Sequence, residues 1–260
     1  MGGARHGMIR VAAGAATFVV LAAAWWLATS VTHFVPEVYF PTPGEVLEAL
    51  KQITFEGYAD GTLSQHFLHS SKLVLMGFAA AVAIGVPLGM SMGWSRRAEA
   101  FVNPVFLLIR PIPPLAWIPL AIVWLGLGDA AKVLVIWFAA FVPSVINSYT
   151  GVRSIEPHLV EAARSLGIRG SMLVREVLFP GALPLIFTGL RLSLQACWTT
   201  LVAGELIGAI VGLGHVLYQA GLDLYPAMIV VGMAGVAVAG ALMTMALAWI
   251  ERLAIPWRLR

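Results

Sequence analysis

The segment Glu161-Ala162-Ala163-Arg164-Ser165-Leu166-Gly167 separates two long apolar runs and is followed by Phe179-Pro180. Its residues favour a helix as far as Leu166, and Gly167 favours a turn at the helix end. Pro157 suits the first turn of that helix. A second short helix is predicted from Ser171 to Leu178, with Pro180 ending it. The segment is therefore predicted to be a charged helix–turn–helix between apolar segments.

The remainder of the chain has the composition of a membrane protein. Of its 260 residues, 60% are hydrophobic and only 11% are charged, whereas a soluble domain carries about 25% charged residues. The single cysteine, Cys197, excludes an intramolecular disulfide and a cysteine metal cluster. We expect one membrane domain whose solvent is lipid, and no nucleic-acid partner.

Six apolar stretches approach or exceed the ~20 residues that a transmembrane helix needs. The third is interrupted by four prolines. A cleaved signal peptide is the alternative for the first, but its apolar run is longer than a usual signal core. The prediction is an all-α membrane protein with six transmembrane helices, at Val11–Val31, Phe67–Gly93, Phe101–Leu127, Ala131–Tyr149, Leu183–Val211 and Pro226–Ile250.

The basic residues outside these stretches predict the orientation, because cytoplasmic loops are enriched in Lys and Arg. One side of the predicted spans carries Arg5, Arg10, Arg96, Arg97, Arg153, Arg164, Arg169, Arg175, Arg252, Arg258 and Arg260. The other side carries Lys51 and Lys132 together with seven acidic residues. Both termini and the loop with Gly167 are therefore predicted to be cytoplasmic.

Three regions follow from this topology. Residues 1–66 contain a transmembrane helix (11–31) and a periplasmic loop, in which Glu45 to Leu50 favour a short amphipathic helix after Pro41 and Pro43. Residues 67–250 form a five-helix core with the cytoplasmic loop 151–182. Residues 251–260 form a cytoplasmic tail.

Two sets of glycines are spaced by four residues, which places small residues on one helix face and permits close helix packing in lipid. Packing inside one bundle is the favoured interpretation, and a subunit interface is the alternative. The two sets are Gly85, Gly89 and Gly93, and Gly204, Gly208 and Gly212.

The polar loop resembles the cytoplasmic signature of the permease subunits of ABC importers. That signature is Glu-Ala-Ala, three residues, Gly, nine residues, Ile, any residue, Leu-Pro, and the chain keeps its spacing with Val177 and Phe179 as apolar replacements. In that family the segment is the coupling helix, which docks in a cleft of the ATP-hydrolysing subunit. The resemblance assigns docking to Glu161, Ala162, Ala163 and Gly167.

The resemblance extends from about Pro41 to Trp257 and favours one subgroup, which imports taurine, other aliphatic sulfonates, nitrate or bicarbonate. Leu115-Ala116-Trp117 and the stretch Tyr58 to Leu63 look most like taurine permeases. The matching segments are Arg110–Leu120, Trp124–Gly128, Gly189–Arg191, Ala203–Ala209 and Gly212–Gly214.

The resemblance implies the transmembrane domain of a type I ABC importer in a bacterial inner membrane. Its partners would be an ATPase dimer, a periplasmic substrate-binding protein, a second copy of the chain and membrane lipid. The chain has no phosphate-cradling GxxxxGK[ST] motif. We therefore expect no enzyme activity and no cofactor in this chain, with ATP and Mg bound by the ATPase. The cargo would be a small anion such as a sulfonate, or alternatively nitrate, bicarbonate or an aromatic carboxylate.

The proline cluster is a candidate for the pathway or gate, at Arg110, Pro113, Pro114 and Trp117. Irregular backbone at membrane depth persists where it is buried in protein or lines a wet cavity. The alternative is a kinked helix end near the interface.

Three further candidates lie within the fifth apolar stretch. Arg191 could attract an anion, pair with a glutamate or a carbonyl at a gate, or extend its charged end to the interface. Glu205 lies ~21 Å farther along the helix, so it is expected near the outer mouth or paired with another helix. Trp198 is a candidate for the pathway or for packing.

His66 and His69 share a helix face, but without further ligands they are more typical of an interfacial pair than of a metal site. Two other classes stay open. An ion-driven secondary transporter would need buried ionisable groups, and it gives no reason for the Glu-Ala-Ala loop. A membrane enzyme would need a catalytic set, and neither HExxH nor GxSxG is present.

Overall fold

The computed structural model describes residues 13, 14, 16, 17, 19–32 and 39–259. These residues are almost entirely helical, and among them β-structure is limited to one bridge between Tyr58 and Gly61. The helices are α1 Val19–Val31, α2 Pro43–Lys51, α3 Leu63–Trp94, α4 Arg96–Ile109, α5 Ile118–Leu125, α6 Asp129–Arg153, α7 Pro157–Ser165, α8 Gly170–Leu173, α9 Phe179–Gly208, α10 Leu213–Leu222 and α11 Pro226–Ala254.

Four helical stretches are long and apolar enough to cross a membrane: α3, α6, α11 and the continuous stretch Gly170–Leu206. A fifth span is broken, because its two halves Arg96–Ile109 and Pro114–Leu125 meet at an angle of 84°. The predicted interruption of the third span is therefore confirmed. Helix α1 is apolar but shorter, and the first predicted span, Val11–Val31, lies partly outside the described residues.

Helices α3 and α6 run side by side in the same direction, with glycines of α3 at the contact. A Cβ on Gly85 would lie 3.0 Å from the Cβ of Ser144, and one on Gly93 would lie 2.7 Å from the Cβ of Val152. The first glycine set thus serves packing inside one bundle, as predicted.

The second glycine set does not form one face. Helix α9 ends at Gly208, and Gly212 follows in the connection to α10 with φ +147°. The fifth span therefore ends before the predicted Val211, and the prediction of a common face for Gly204, Gly208 and Gly212 was wrong. The reason is that a glycine spacing of four indicates a helix face only while the helix continues.

The two ends of the bundle are named by the helices that lie there. The α7 face contains α7, the start of α9 and the ends of α3, α6 and α11. The α10 face contains α2, α10 and the starts of α3, α6 and α11. Ala49 and Ile53 are fully buried at the α10 face against α10 and α11.

The short amphipathic helix predicted after Pro43 is confirmed as α2. Its first turn is closed by a capping box, in which the Thr42 side chain accepts from the Glu45 N–H and the Glu45 carboxylate accepts from the Thr42 N–H at 2.7 Å. Such reciprocal bonds satisfy two backbone donors that a helix start leaves free.

Candidate functional site

The α7 face presents the helix–turn that the sequence predicted. Helix α7 begins at Pro157 and ends in a Schellman turn, in which the Ile168 N–H donates to Ala163 O at 3.0 Å and the Gly167 N–H donates to Arg164 O at 3.0 Å. Gly167 has φ +85°, a conformation that glycine adopts without steric cost. The turn directs the chain from α7 back towards the membrane bundle.

The sequence predicted that the second helical segment ends at Pro180, and this prediction was wrong. Helix α8 continues through a π-helical turn, Val174–Leu178, directly into α9. Pro180 closely follows the π-helical turn, and a local π-helical adjustment is one way in which a continuous membrane helix accommodates the missing N–H of a proline. The loop after Gly167 is therefore the beginning of a membrane span.

The signature residues of α7 divide between two environments. Glu161, Ala162 and Gly167 are exposed, whereas Ala163 is 5% exposed and faces the chain's own interior. Leu166 is 82% exposed. The outer face of α7 therefore combines a carboxylate, small residues and an uncovered apolar side chain.

The inner face of α7 connects this surface to two membrane helices. Ala163 packs in a buried cluster with Val152 at the end of α6, with Leu178 of the π-helical turn and with Ala182 at the start of α9. Through Ala163, α7 is packed against the ends of both helices.

A polar contact links α6 to the broken span beside this surface. The Tyr149 hydroxyl donates to Glu99 Oε1 at 2.5 Å, and Arg153 Nη1 lies 3.7 Å from Glu99 Oε2. Glu99 belongs to the first turn of α4. The α7 face thus joins α4, α6 and α9.

The proline cluster produces a cavity of about 200 Å³ between the broken span and α6. Arg110, Pro114 and Trp117 line it, and the Trp117 ring stacks on Phe138 with centroids 4.1 Å apart. Pro113 has extended backbone between the two halves of the span. The break thus lines a cavity, and a pathway or gate at these residues stays a prediction.

Arg191 pairs with Glu251, the only acidic residue of α11, near the α7 face. The side chain of Arg191 is 46% exposed and that of Glu251 is 11% exposed. One of the sequence alternatives, pairing with a glutamate, is therefore confirmed. The partner was missed because it lies 60 residues away, although an isolated carboxylate in an apolar stretch is itself a signal of a paired site.

Glu205 is fully buried near the α10 face. Its carboxylate accepts from the Ser70 hydroxyl at 2.7 Å and from the Gly214 N–H at 2.7 Å. The same hydroxyl accepts from the Leu213 N–H at 2.9 Å. The pairing with another helix expected from the sequence is present, and the carboxylate holds the connection between α9 and α10 rather than facing a cavity.

Trp198 is also buried, at 6% exposure, with its ring against Gly240 of α11. Its Nε1 has no hydrogen-bond partner within the described part of the chain. The packing role, one of the two predicted, is therefore the one that the contacts support.

The two histidines of α3 have separate partners. One ring nitrogen of His66 accepts from the Gly212 N–H at 3.0 Å, and the other lies 2.9 Å from Tyr58 O. His69 Nε2 lies 3.3 Å from Asp129 Oδ1. Over residues 39–259 and the described part of α1, no group of three or more metal-ligating side chains occurs.

One tyrosine near His66 fixes α10 to the loop before α3. The Tyr58 hydroxyl donates to Asp223 Oδ2 at 2.5 Å. Burial, together with this hydrogen bond to the carboxylate, raises the pKa of Tyr58. The phenol therefore stays protonated over the physiological range.

These features define a multi-pass membrane protein of the transporter class, with a broken span and an exposed helix between two spans. Residues 85–259 match the family of binding-protein-dependent transport system inner membrane components. The chain belongs to this family.

Curated relatives agree with this membership. The chain is 38% identical to the taurine transport system permease protein TauC of Escherichia coli K12 over 93% of its own length and 88% of that protein. It is 35% identical to the putative aliphatic sulfonates transport permease protein SsuC of E. coli K12, covering 92% and 89%. It is 32% identical to the nitrate import permease protein NrtB of a Synechocystis species, covering 83% and 80%.

The fold also matches a solved structure, the MetNI methionine ABC transporter in an inward-facing conformation. The TM-score is 0.65 at 23% identity, covering 74% of this chain and 95% of that one. The predicted all-α membrane fold is confirmed by this match, and the cytoplasmic location of both termini stays a prediction.

Proposed function

We propose that the chain is the permease subunit of an ATP-driven importer for taurine or a related sulfonate. Support for the substrate class comes from the sulfonate and taurine permeases among the relatives. Nitrate, bicarbonate and an aromatic carboxylate are the alternatives, and a nitrate permease is also a relative. The substrate would be selected by a binding protein that delivers it to the α10 face.

The α7 surface carries the proposal for ATP coupling. Glu161, Ala162 and Leu166 are exposed on one short helix, while Ala163 fixes that helix to the ends of α6 and α9. A separate ATPase that binds this surface would move α7 and transfer its displacement to both helices. ATP and Mg would be bound by that subunit.

The charge distribution supports the orientation of the complex. The α7 face carries Arg153, Arg164, Arg169 and Arg175, among other arginines, and such an excess is typical of cytoplasmic loops. The α7 face is then cytoplasmic, and the α10 face receives a periplasmic binding protein. In a bacterium the complex would lie in the inner membrane.

A second copy of the chain would complete the pathway. The broken span with Arg110 and Trp117 supplies irregular backbone beside a cavity, which suits a route for a polar solute. The Arg191–Glu251 pair near the α7 face would close that route between transport cycles. A movement of α7 would be transmitted to this pair through α9, which carries Arg191.

Substitution at Gly167 tests the coupling role. No atom of the described residues lies within 4 Å of a Cβ placed there, so an added side chain has space, and the backbone strain at φ +85° is shared by an aspartate and an asparagine at this position. We expect Gly167→Asp to remain in the membrane and to keep ATPase activity while uptake falls, because a carboxylate enters the docking surface.

Gly167→Asn is the matched control, because it has the same shape without the charge and tolerates positive φ. It should retain uptake. Normal uptake by a well-expressed Gly167→Asp protein would refute the coupling role. Uptake of nitrate but not of taurine would refute the substrate and leave the architecture intact.

A further inference from the structure

A second cavity lies at the α10 face, on the opposite side of the molecule from α7. It measures about 680 Å³, is open on one side, and is lined by the start of α3, the connection before α6 and the end of α9. Its charged lining residues are Asp60, Lys72, Asp129 and Lys132. Cavities of about 300–1,000 Å³ are typical of small-molecule sites.

Lys72 is the unusual member of this lining. It lies nine residues after the start of α3, or about 13 Å along a membrane-spanning helix. An ammonium group inside a span is costly and marks a functional site by default. Within residues 39–259 no hydrogen bond or ion pair neutralises it, and the side chain is exposed to the cavity.

One oxygen of the neighbouring Asp129 carboxylate already has partners. Asp129 Oδ1 lies 3.4 Å from Lys132 Nζ and 3.3 Å from His69 Nε2. The other oxygen of Asp129 has no partner in the described chain. Lys72 and Asp129 therefore face the same space without forming an ion pair with each other.

The same two residues also line an adjoining groove of about 620 Å³. Its other lining residues are apolar, among them Leu73, Met76 and Trp137. Lys72 and Asp129 thus lie at the boundary between a polar cavity at the α10 face and an apolar groove along α3 and α6.

Among the lysines and carboxylates of the polar lining the formal charge is zero, since Lys72 and Lys132 balance Asp60 and Asp129. A cavity with separated charges and no net charge attracts a monoanion weakly. It suits a molecule that carries one negative and one positive group on a short chain. We propose that this cavity binds a small zwitterion, with its acidic group at Lys72 and its ammonium group at Asp129.

This proposal rests on the proposed function and specifies its substrate class, because an amino sulfonate such as taurine is such a zwitterion. Nitrate, bicarbonate and simple alkanesulfonates lack the ammonium group and would use only half of the site. The cavity would thus select among the anions that the family transports.

The test measures how a ligand protects a thiol in the cavity, so that it needs neither ATP nor a partner. Leu68 lines the cavity and is 67% exposed, whereas Cys197 is fully buried and should stay unlabelled. The full-length Leu68→Cys protein in lipid nanodiscs is labelled with a charged thiol reagent in the presence of taurine, ethanesulfonate or ethylammonium.

Taurine should slow the labelling of the Leu68→Cys protein at a lower concentration than ethanesulfonate or ethylammonium, each of which carries only one of its two charged groups. Lys72→Gln should raise the half-protecting taurine concentration about tenfold or more, the usual effect of losing a charged hydrogen bond. Lys72→Arg should keep protection, and so should Lys51→Gln, an exposed lysine of α2 outside the cavity. Asp129→Asn should remove the advantage of taurine over ethanesulfonate.

Unchanged protection in Lys72→Gln, or equal protection by nitrate and taurine, would overturn the proposal. The headgroup of phosphatidylethanolamine carries the same pair of charges, so nanodiscs with and without this lipid are compared. Protection by the lipid with no further effect of taurine would also overturn it. Taurine uptake is measured in parallel: uptake without protection refutes this site alone, whereas loss of both refutes the proposed function as well.

Discussion

Gly89→Ala tests the packing of the membrane bundle. A Cβ at Gly89 would overlap Val145 O and would lie 2.8 Å from the Cβ of Ser148 and 3.0 Å from the Tyr149 backbone N. None of these atoms ends a flexible side chain, so α3 and α6 must separate. Overpacking of this kind costs about 1–3 kcal/mol, and in lipid no hydrophobic force between helices offsets lost van der Waals contact.

Gly204→Ala is the matched control in another spanning helix. No atom of the described side chains and backbone lies within 4 Å of a Cβ at that position, and alanine favours helix over glycine by up to ~1 kcal/mol. The two variants should therefore differ by about 1–4 kcal/mol in the free energy of unfolding, with Gly89→Ala the less stable.

Reversible unfolding in mixed micelles, followed by tryptophan fluorescence, measures this difference. The unfolding midpoint of Gly89→Ala should fall below that of the wild type, and the midpoint of Gly204→Ala should be equal or higher. A wild-type midpoint for Gly89→Ala would refute the close contact of α3 with α6.

Three further variants test individual polar contacts. Glu205→Ala leaves a buried hydroxyl and a backbone N–H without their acceptor, which should cost about 1–3 kcal/mol for each group and speed proteolysis between α9 and α10. Arg191→Met should lower the free energy of unfolding by about 1–3 kcal/mol in the same assay. This is less than the cost of breaking a fully buried ion pair, because the arginine is nearly half exposed. Adding Glu251→Met should restore part of the loss. Burial and the hydrogen bond to Asp223 raise the pKa of Tyr58 in the folded protein. The difference in the free energy of unfolding between the wild type and Tyr58→Phe should therefore be constant below pH ~10. Above that pH it should decrease, because the phenol ionises in the unfolded chain first.

The α7 region was predictable because its signals are local. Pro157 at the start of a helix, Gly167 at its end and the charge pattern of the loops all act within a few residues. The same holds for α2, where Thr42 and Glu45 form the capping box three residues apart. Helix ends of this kind depend on backbone donors that nearby side chains satisfy.

Features that depend on distant residues were not predictable in the same way. The continuation of α8 into α9 was missed because Pro180 signals an ending, yet the π-helical turn Val174–Leu178 just before it accommodates the proline within one continuous helix. The partner of Arg191 lies on α11, and no periodicity identifies it. The environment of Lys72 likewise depends on where α6 and α9 pass beside α3.

Substrate uptake by a reconstituted complex distinguishes an ATP-driven importer from an ion-driven transporter. The chain is combined in proteoliposomes with its ATPase and binding protein, and uptake of labelled taurine is measured with ATP on the α7 face, with ion gradients only, and in the Gly167→Asp variant. We predict uptake that requires ATP, persists without an ion gradient and is lost in the variant. Uptake by the chain alone, driven by an ion gradient and unaffected by ATP, would refute the assignment of the chain to an ATP-driven importer.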